Sequence, residues 1–177
     1  MNPTVDVALL ILRVVAGLTV ASHGAQKLLG WFGGPGMDTW EQGLRKQGFK
    51  PARIWAYLTV LGELGGGLSL AFGFLTPLGA AGIFGAMFMA ILTVHWKNGF
   101  FNGKRGIEFP LALLAIATAI GVAGPGAISL DTLFGIQLPY PWLFVILAII
   151  AVLVDLAGLA VKRANAASAA AATHAPA

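Results

Sequence analysis

The chain of 177 residues is 58% hydrophobic and only 10% charged, and its mean hydropathy is +0.83. Soluble domains carry about 25% charged residues, so eleven basic and seven acidic side chains are too few to cover the surface of a soluble protein. The high hydrophobicity excludes intrinsic disorder for most of the chain. The absence of cysteine excludes disulfides, zinc fingers and iron–sulfur clusters held by cysteine. The composition therefore indicates an integral membrane protein.

Five predominantly apolar stretches approach the length of about 20 residues that a membrane-spanning helix needs. They are residues 5–29, 54–75, 78–96, 107–123 and 142–161. Turn-forming residues separate them, as in Gly33-Gly34-Pro35-Gly36 and Gly124-Pro125-Gly126. The sequence predicts an all-α fold, a polytopic bundle of five transmembrane helices.

The basic residues predict the orientation of the bundle. With the N-terminus outside, ten of the eleven fall on the inner side: Lys27, Arg45, Lys46, Lys50, Arg53, Lys97, Lys104, Arg105, Lys162 and Arg163. Cytoplasmic loops of membrane proteins are enriched in Lys and Arg, so we expect the N-terminus outside and the C-terminus inside. This orientation requires the fifth span, because four spans would place the last two basic residues outside.

The longest predicted inner loop is 30–53. Asp38 followed by Glu41 matches a capping-box pattern, which predicts a short helix over 39–47 that stops at Gly48. The basic, Trp-containing face of such a helix suits the membrane interface. A docking surface for a cytoplasmic partner is the alternative interpretation of this loop.

Ionisable side chains within the spans need an explanation, because each costs about 2.5–3.5 kcal/mol on insertion scales. They are Arg13, His23, Lys27, Glu63, His95 and Asp155, with Glu108 at the inner edge. At about 1.5 Å per helical residue, His23, Lys27 and His95 lie near the inner boundary, and Glu63 lies one to two turns above them.

Glu63 with His23 and Lys27 is the predicted site. The glycines around Glu63 would let a neighbouring helix or a ligand approach closely. Its counter-ion is either Arg13 above or His23 and Lys27 below, and depth alone does not choose between them. Asp155 is interpreted as structural, either pairing locally with the basic residues after it or facing the bundle.

Six short motifs follow one another in a recognisable order. They are His23-Gly24-x-x-Lys27-Leu28-x-Gly30, Glu63-x-x-Gly66-Gly67, Gly73-x-x-Thr76, Val94-His95-x-x-Asn98-Gly99-Phe100-Phe101, Glu108-x-Pro110 and Gly124-Pro125-Gly126-x-x-Ser129-Leu130-Asp131. This series resembles the DoxX family of small bacterial and archaeal membrane proteins. The resemblance implies a four-helix membrane domain over 1–131. Residues 132–163 would add the end of the outer loop and an extra span, and 164–177 are predicted to be a disordered cytoplasmic tail.

The resemblance also implies a multi-pass protein of the cytoplasmic membrane with a role in redox chemistry. Some relatives are membrane subunits of a thiosulfate:quinone oxidoreductase, and others are linked to oxidative-stress complexes with superoxide dismutase and a sulfur transferase. We therefore expect a membrane subunit of an oxidoreductase system that binds quinone near the inner leaflet. The predicted ligand-binding residues are His23, Lys27, Glu63 and His95. The predicted supporting residues are Arg13, Asn98, Phe100 and Glu108.

Other functions stay open at this point. Haem b with His23 and His95 as axial ligands is the less favoured cofactor, and no other metal site is expected. A small-solute or proton transporter would use the intramembrane charges as a path, and a scaffold would recruit cytoplasmic redox partners. The chain lacks motifs for flavin or nicotinamide, so a partner protein would supply electrons. We expect lipid contacts, possible homo-oligomers and no nucleic acid.

Overall fold

The computed structural model describes residues 2–173, and in this part of the chain the secondary structure is helical, without strands. The helices are α1 (Pro3–Leu29), α2 (Gly36–Lys46), α3 (Ala52–Val60), α4 (Gly66–Phe72), α5 (Thr76–Ala90), α6 (Glu108–Ala123), α7 (Leu130–Leu133) and α8 (Trp142–Thr173). A π-helical turn joins α3 to α4, and a second one extends α5. The predicted all-α bundle is confirmed.

Four helical segments are long and apolar enough to cross a membrane: Pro3–Leu29, Ala52–Phe72, Thr76–Asn98 and Trp142–Ser168. They match four of the five predicted spans. The remaining prediction, 107–123, corresponds to α6, which has only 16 residues.

Although α6 is short, it lies along most of α1. At its start, the ring of Phe109 packs edge-on against that of His23, with the centroids 6.2 Å apart. Just beyond its end, the backbone N–H of Ala127 donates to Asp6 Oδ1 at 2.8 Å. The rise between Asp6 and His23 along α1 is about 26 Å, and α6 is about 24 Å long. α6 therefore covers about the same depth of the bundle as the part of α1 between Asp6 and His23.

Glycines bring α1 and α4 into backbone contact. A Cβ atom built on Gly17 would lie 2.6 Å from the carbonyl oxygen of Gly67, and one built on Gly67 would lie 2.6 Å from that of Gly17. Nearer the end of α1, a Cβ on Gly24 would lie 2.4 Å from the backbone nitrogen of Leu64. Small residues at such crossings allow close packing where no hydrophobic force drives helices together. This contact holds Glu63 beside α1.

α8 belongs to the same core as the preceding helices. Phe144 and Ala148 are buried with Ile83 of α5 and Ile120 of α6 in one apolar cluster. The C-terminal span is therefore integrated into the bundle.

α8 is longer than predicted. It continues to Thr173, whereas the sequence predicted a disordered tail from residue 164; this prediction is corrected over 164–173, and residues 174–177 lie outside the described residues. Alanine is the strongest helix former, so the Ala-rich composition favours continuation of the helix. Asn165 Nδ2 also donates to the carbonyl oxygen of Gly48 at 3.0 Å, which fastens α8 to the turn after α2.

The predicted loop helix exists but begins three residues early. α2 starts at Gly36 rather than at residue 39, and it ends at Lys46 before Gly48, whose φ of +93° suits glycine. Glu41 accepts hydrogen bonds from Arg45 at 2.7 Å and from Arg53 at 3.2 Å. These ion pairs connect α2 to the start of α3.

The basic loops meet at one end of the bundle, which we call the basic end. Lys27 Nζ lies 5.0 Å from the Trp40 ring centroid, and Lys162 Nζ lies 5.1 Å from that of Phe49. The opposite end carries the loop between α6 and α8. The clustering of the basic loops agrees with the charge pattern from which the topology was predicted.

Asp131 organises the opposite end. Its carboxylate accepts hydrogen bonds from the backbone N–H of Leu75 at 2.7 Å, from that of Thr76 at 3.0 Å and from the Thr76 hydroxyl at 2.8 Å. It thereby caps the N-terminus of α5 from a distant loop. Burial raises the pKa of Tyr140 to about 12. Its hydroxyl therefore stays protonated at neutral pH and donates to Asp131 at 3.5 Å.

Asp131→Ala is expected to destabilise the protein by about 3 kcal/mol. The substitution removes a charged acceptor from buried donors, and hydrogen bonds to charged groups contribute roughly 1.5–3 kcal/mol each. Thermal unfolding in detergent micelles measures the change. Asp38→Ala, at an exposed position of α2, should change stability by no more than about 0.5 kcal/mol. Equal effects of the two substitutions would contradict the capping role.

Candidate ligand-binding site

A cavity of about 980 Å³ extends through the bundle from the basic end, with walls from α1, α3–α4, α5, α6 and α8. Most of the side chains that line it are apolar. The predicted ligand-binding residues all line it: His23, Lys27, Glu63 and His95. The structure thus brings together side chains from three separate helical segments.

An ion pair between Lys27 and Glu63 is the central polar feature of the cavity. Lys27 Nζ contacts Glu63 Oε2 directly, and the glutamate is only 5% exposed. Of the counter-ions that the sequence allowed for Glu63, the structure therefore selects Lys27. The ammonium group also lies 5.0 Å from the centroid of the Trp40 ring, a cation–π contact that helps to hold it in place.

Both Glu63 and His95 lie in π-helical turns. These turns are Leu61–Gly65 and Ile91–His95. Single π-helical turns within α-helices are rare and are frequent at functional sites. The i→i+5 pattern widens the helix locally and rotates the following side chains relative to a regular α-helix. Each turn changes how its polar side chain is presented to the cavity, an effect that a regular helical wheel does not predict.

The two histidines have different surroundings. His23 is exposed and packs against Phe109. His95 Nδ1 lies 2.7 Å from the carbonyl oxygen of Arg105. A carbonyl oxygen can only accept, so Nδ1 carries the proton of this bond, and in the neutral ring Nε2 is an acceptor. His95 therefore offers the cavity an acceptor when its ring is neutral.

Arg13 lies at the opposite end of the bundle, away from Glu63. Its side chain is fully buried, and its Nη2 donates to the carbonyl oxygen of Ile128. A Cβ built on Gly73 would overlap its guanidinium group, so the glycine makes room for it. The prediction that Arg13 supports the ligand site is corrected: it ties the outer loop to α1.

The other three predicted supporting residues lie between the end of α5 and the first residue of α6, and the described lining of the cavity does not include them. Asn98 Nδ2 donates to the carbonyl oxygen of Arg105 at 3.1 Å. Phe100 packs edge-on against Phe101. Glu108 accepts from the backbone N–H of Asn102 at 2.8 Å. They shape the loop that holds His95 rather than the cavity itself.

Sequence reasoning missed two residues of the cavity lining, Trp40 and Phe109. For Asp155 it left two alternatives, a local ion pair or a position facing the bundle. The structure favours the second, because Asp155 lines the cavity and forms no ion pair with Lys162 among the described residues. Its position in the middle of an apolar span was the available signal.

Comparisons with known proteins agree with this architecture. The DoxX family model matches residues 8–96, half of the chain, and all four predicted ligand-binding residues fall in this region. The Inner membrane protein YqjF of Escherichia coli (strain K12) is 28% identical over 130 residues, which cover 72% of this chain and 92% of that protein. No solved structure matches the chain significantly. The chain therefore belongs to the DoxX family and is a multi-pass protein of the cytoplasmic membrane.

Proposed function

We propose that the cavity binds a lipid-soluble quinone and that the protein is a membrane subunit of an oxidoreductase system. The observation that carries the proposal is a large, mainly apolar cavity with the Lys27–Glu63 ion pair in its wall. Ligand sites commonly combine apolar walls with a few polar groups that orient the ligand. A quinone has this character, because a small polar ring is joined to a long apolar tail.

The cavity is accessible from the lipid. Leu61 and Leu78 line it, and they are 67% and 46% exposed on the surface of the bundle. In a membrane this surface faces acyl chains, in which quinones dissolve. A tail could therefore extend along the groove between α4 and α5 while the head group lies deeper.

The polar residues suit a quinone ring. Lys27 can donate to a carbonyl oxygen and stabilise negative charge that develops on it, and Glu63 holds the ammonium group in position. Trp40 and Phe109 provide aromatic surfaces in the same cavity, against which a planar ring can stack. The ring nitrogens of His23 can donate or accept a hydrogen bond.

The charge pattern supports an orientation in which this site lies toward the cytoplasm. Basic loops favour the cytoplasmic side of a membrane, so the basic end would face inward, with the N-terminus outside. In this orientation a cytoplasmic partner could reach α2, whose Arg45 is exposed. We propose that such a partner supplies the electrons.

Quinone binding is tested on protein purified in a mild detergent. We expect mass spectrometry of an organic extract to find quinone in stoichiometric amount. Added decylubiquinone should raise the melting temperature, because a ligand at 100 times its Kd stabilises by about 2.7 kcal/mol. The Soret region of the absorption spectrum, measured on the same sample, tests the haem alternative.

A matched pair of variants locates the quinone site. Glu63→Gln should weaken the melting-temperature shift, because Lys27 loses the carboxylate that positions it. Asp38→Asn should behave as wild type, since Asp38 is exposed on α2 and does not line the cavity. The proposal fails if no quinone is extracted and no quinone shifts the melting temperature.

A further inference from the structure

Asp155 is a buried carboxyl group without a hydrogen-bond donor. It is 8% exposed, and its Oδ2 has no partner among the residues that the structure describes. A buried polar group left unsatisfied costs about 1–3 kcal/mol, and a charged one costs more. Such a group in a membrane helix therefore calls for a partner that the described part of the polypeptide does not provide.

The packing of α8 directs Asp155 into the cavity. A Cβ built on Gly85 of α5 would lie 3.0 Å from the Ala151 Cβ and 3.8 Å from Asp155 Oδ2. One turn further along α8, Gly158 lies directly under the Trp55 ring. α8 is thus held against α3 and α5 on both sides of Asp155, and its carboxyl group lines the cavity.

The cavity lining contains one acceptor and one donor that are buried without a partner among the described residues, Asp155 Oδ2 and Trp40 Nε1. A carboxyl group can accept a hydrogen bond whether it is ionised or protonated, but only the protonated form can donate one. His95 in its neutral form also presents an acceptor, because its Nδ1 proton is directed to Arg105. Lys27 keeps N–H donors beyond the one directed at Glu63. A ligand hydroxyl group can donate to Asp155 and also accept from such donors, whereas a carbonyl group can only accept.

We infer that the cavity prefers the reduced, hydroxylated form of the quinone, a quinol, and that Asp155 accepts a hydrogen bond from one of its hydroxyl groups. The inference rests on the proposed quinone site and adds its selectivity. Asp155 is then a positioning residue. It favours the quinol because the quinol hydroxyl group can donate a hydrogen bond to it, whereas a quinone carbonyl group cannot.

The test compares the affinities of the full-length protein for decylubiquinol and decylubiquinone, measured without oxygen by titration of the melting temperature. We expect wild-type protein to bind the quinol up to roughly tenfold more tightly, since one additional hydrogen bond contributes about 0.5–1.5 kcal/mol. Asp155→Leu should weaken quinol binding by a similar factor and leave quinone binding unchanged.

Asp155→Asn keeps the shape of the side chain and adds a donor. Its amide can donate to a carbonyl oxygen, so it should strengthen quinone binding and remove the preference for quinol. Asp38→Asn serves as the control and should keep the wild-type ratio of affinities, since Asp38 is exposed on α2 and does not line the cavity. The melting temperature without ligand checks that each variant is folded. A merely structural Asp155 would change that temperature and not the ratio.

The outcomes separate the two proposals. If wild-type protein binds neither form, the proposed quinone function fails and this inference fails with it. If both forms bind and the ratio is the same in wild type, Asp155→Leu and Asp155→Asn, the selectivity of Asp155 is refuted and the quinone site stands.

Discussion

Lys27→Met is expected to destabilise the protein by about 3–5 kcal/mol, the range measured when one partner of a buried ion pair is removed. Glu63 is only 5% exposed, and Lys27 contacts its carboxylate directly. Without the ammonium group, a buried carboxylate would remain with its charge uncompensated. Thermal or denaturant-induced unfolding in detergent micelles measures the loss.

The double variant Lys27→Met/Glu63→Leu should recover most of this loss, because apolar side chains of similar volume can replace a buried ion pair at little or no cost. A double-mutant cycle then gives a coupling energy of at least about 2 kcal/mol. Arg45→Met is the matched control, since Arg45 is 67% exposed and its partner Glu41 keeps a second ion pair with Arg53. It should cost no more than about 1 kcal/mol. A Lys27→Met variant as stable as the control would show that the pair contributes little to stability.

Gly17→Ala is expected to destabilise the protein by about 3 kcal/mol, at the upper end of the range for overpacked positions. The new Cβ would lie 2.6 Å from both the Gly67 carbonyl oxygen and the Ala71 backbone nitrogen. These are backbone atoms of α4, so no side chain can rotate away. Relief requires α1 and α4 to separate, which would also disturb Glu63 beside them.

Gly43→Ala is the matched control for this substitution. Gly43 lies within α2, and a Cβ built on it meets nothing within 4 Å. The same change should therefore stabilise the protein by up to about 1 kcal/mol, because alanine favours a helix more than glycine does. The two variants should shift the melting temperature in opposite directions. A neutral Gly17→Ala would mean that α1 and α4 lie further apart than described.

The residues of the site were predictable because membrane helices rarely contain ionisable side chains. His23, Lys27, Glu63 and His95 stood out against apolar neighbours, and all four line one cavity. Arg13 stood out for the same reason but lies at the other end of the bundle. The depth of a residue along a helix does not show the direction in which its long side chain extends. The partner of Glu63 could therefore be identified only from the tertiary structure.

Local sequence also determined much of the helical framework. α1 begins where Asn2 Oδ1 accepts from the backbone N–H of Thr4 at 3.0 Å and Pro3 occupies the first turn, and it ends at Gly30, whose φ is +72°. Such caps act within a few residues. The cap of α5 comes instead from Asp131, 55 residues further along the chain than Thr76. No local pattern indicates that contact.

Hydropathy, turn residues and short motifs are local properties of the chain, so they were enough to predict the all-α membrane class, the approximate positions of the spans and the family. The pairing of Lys27 with Glu63, the π-helical turns at Glu63 and His95, and the choice of the cavity for Asp155 became clear only from the packed helices. These features depend on how glycine-lined helices pack against one another. That packing joins residues far apart in the chain, so it cannot be read from any single segment.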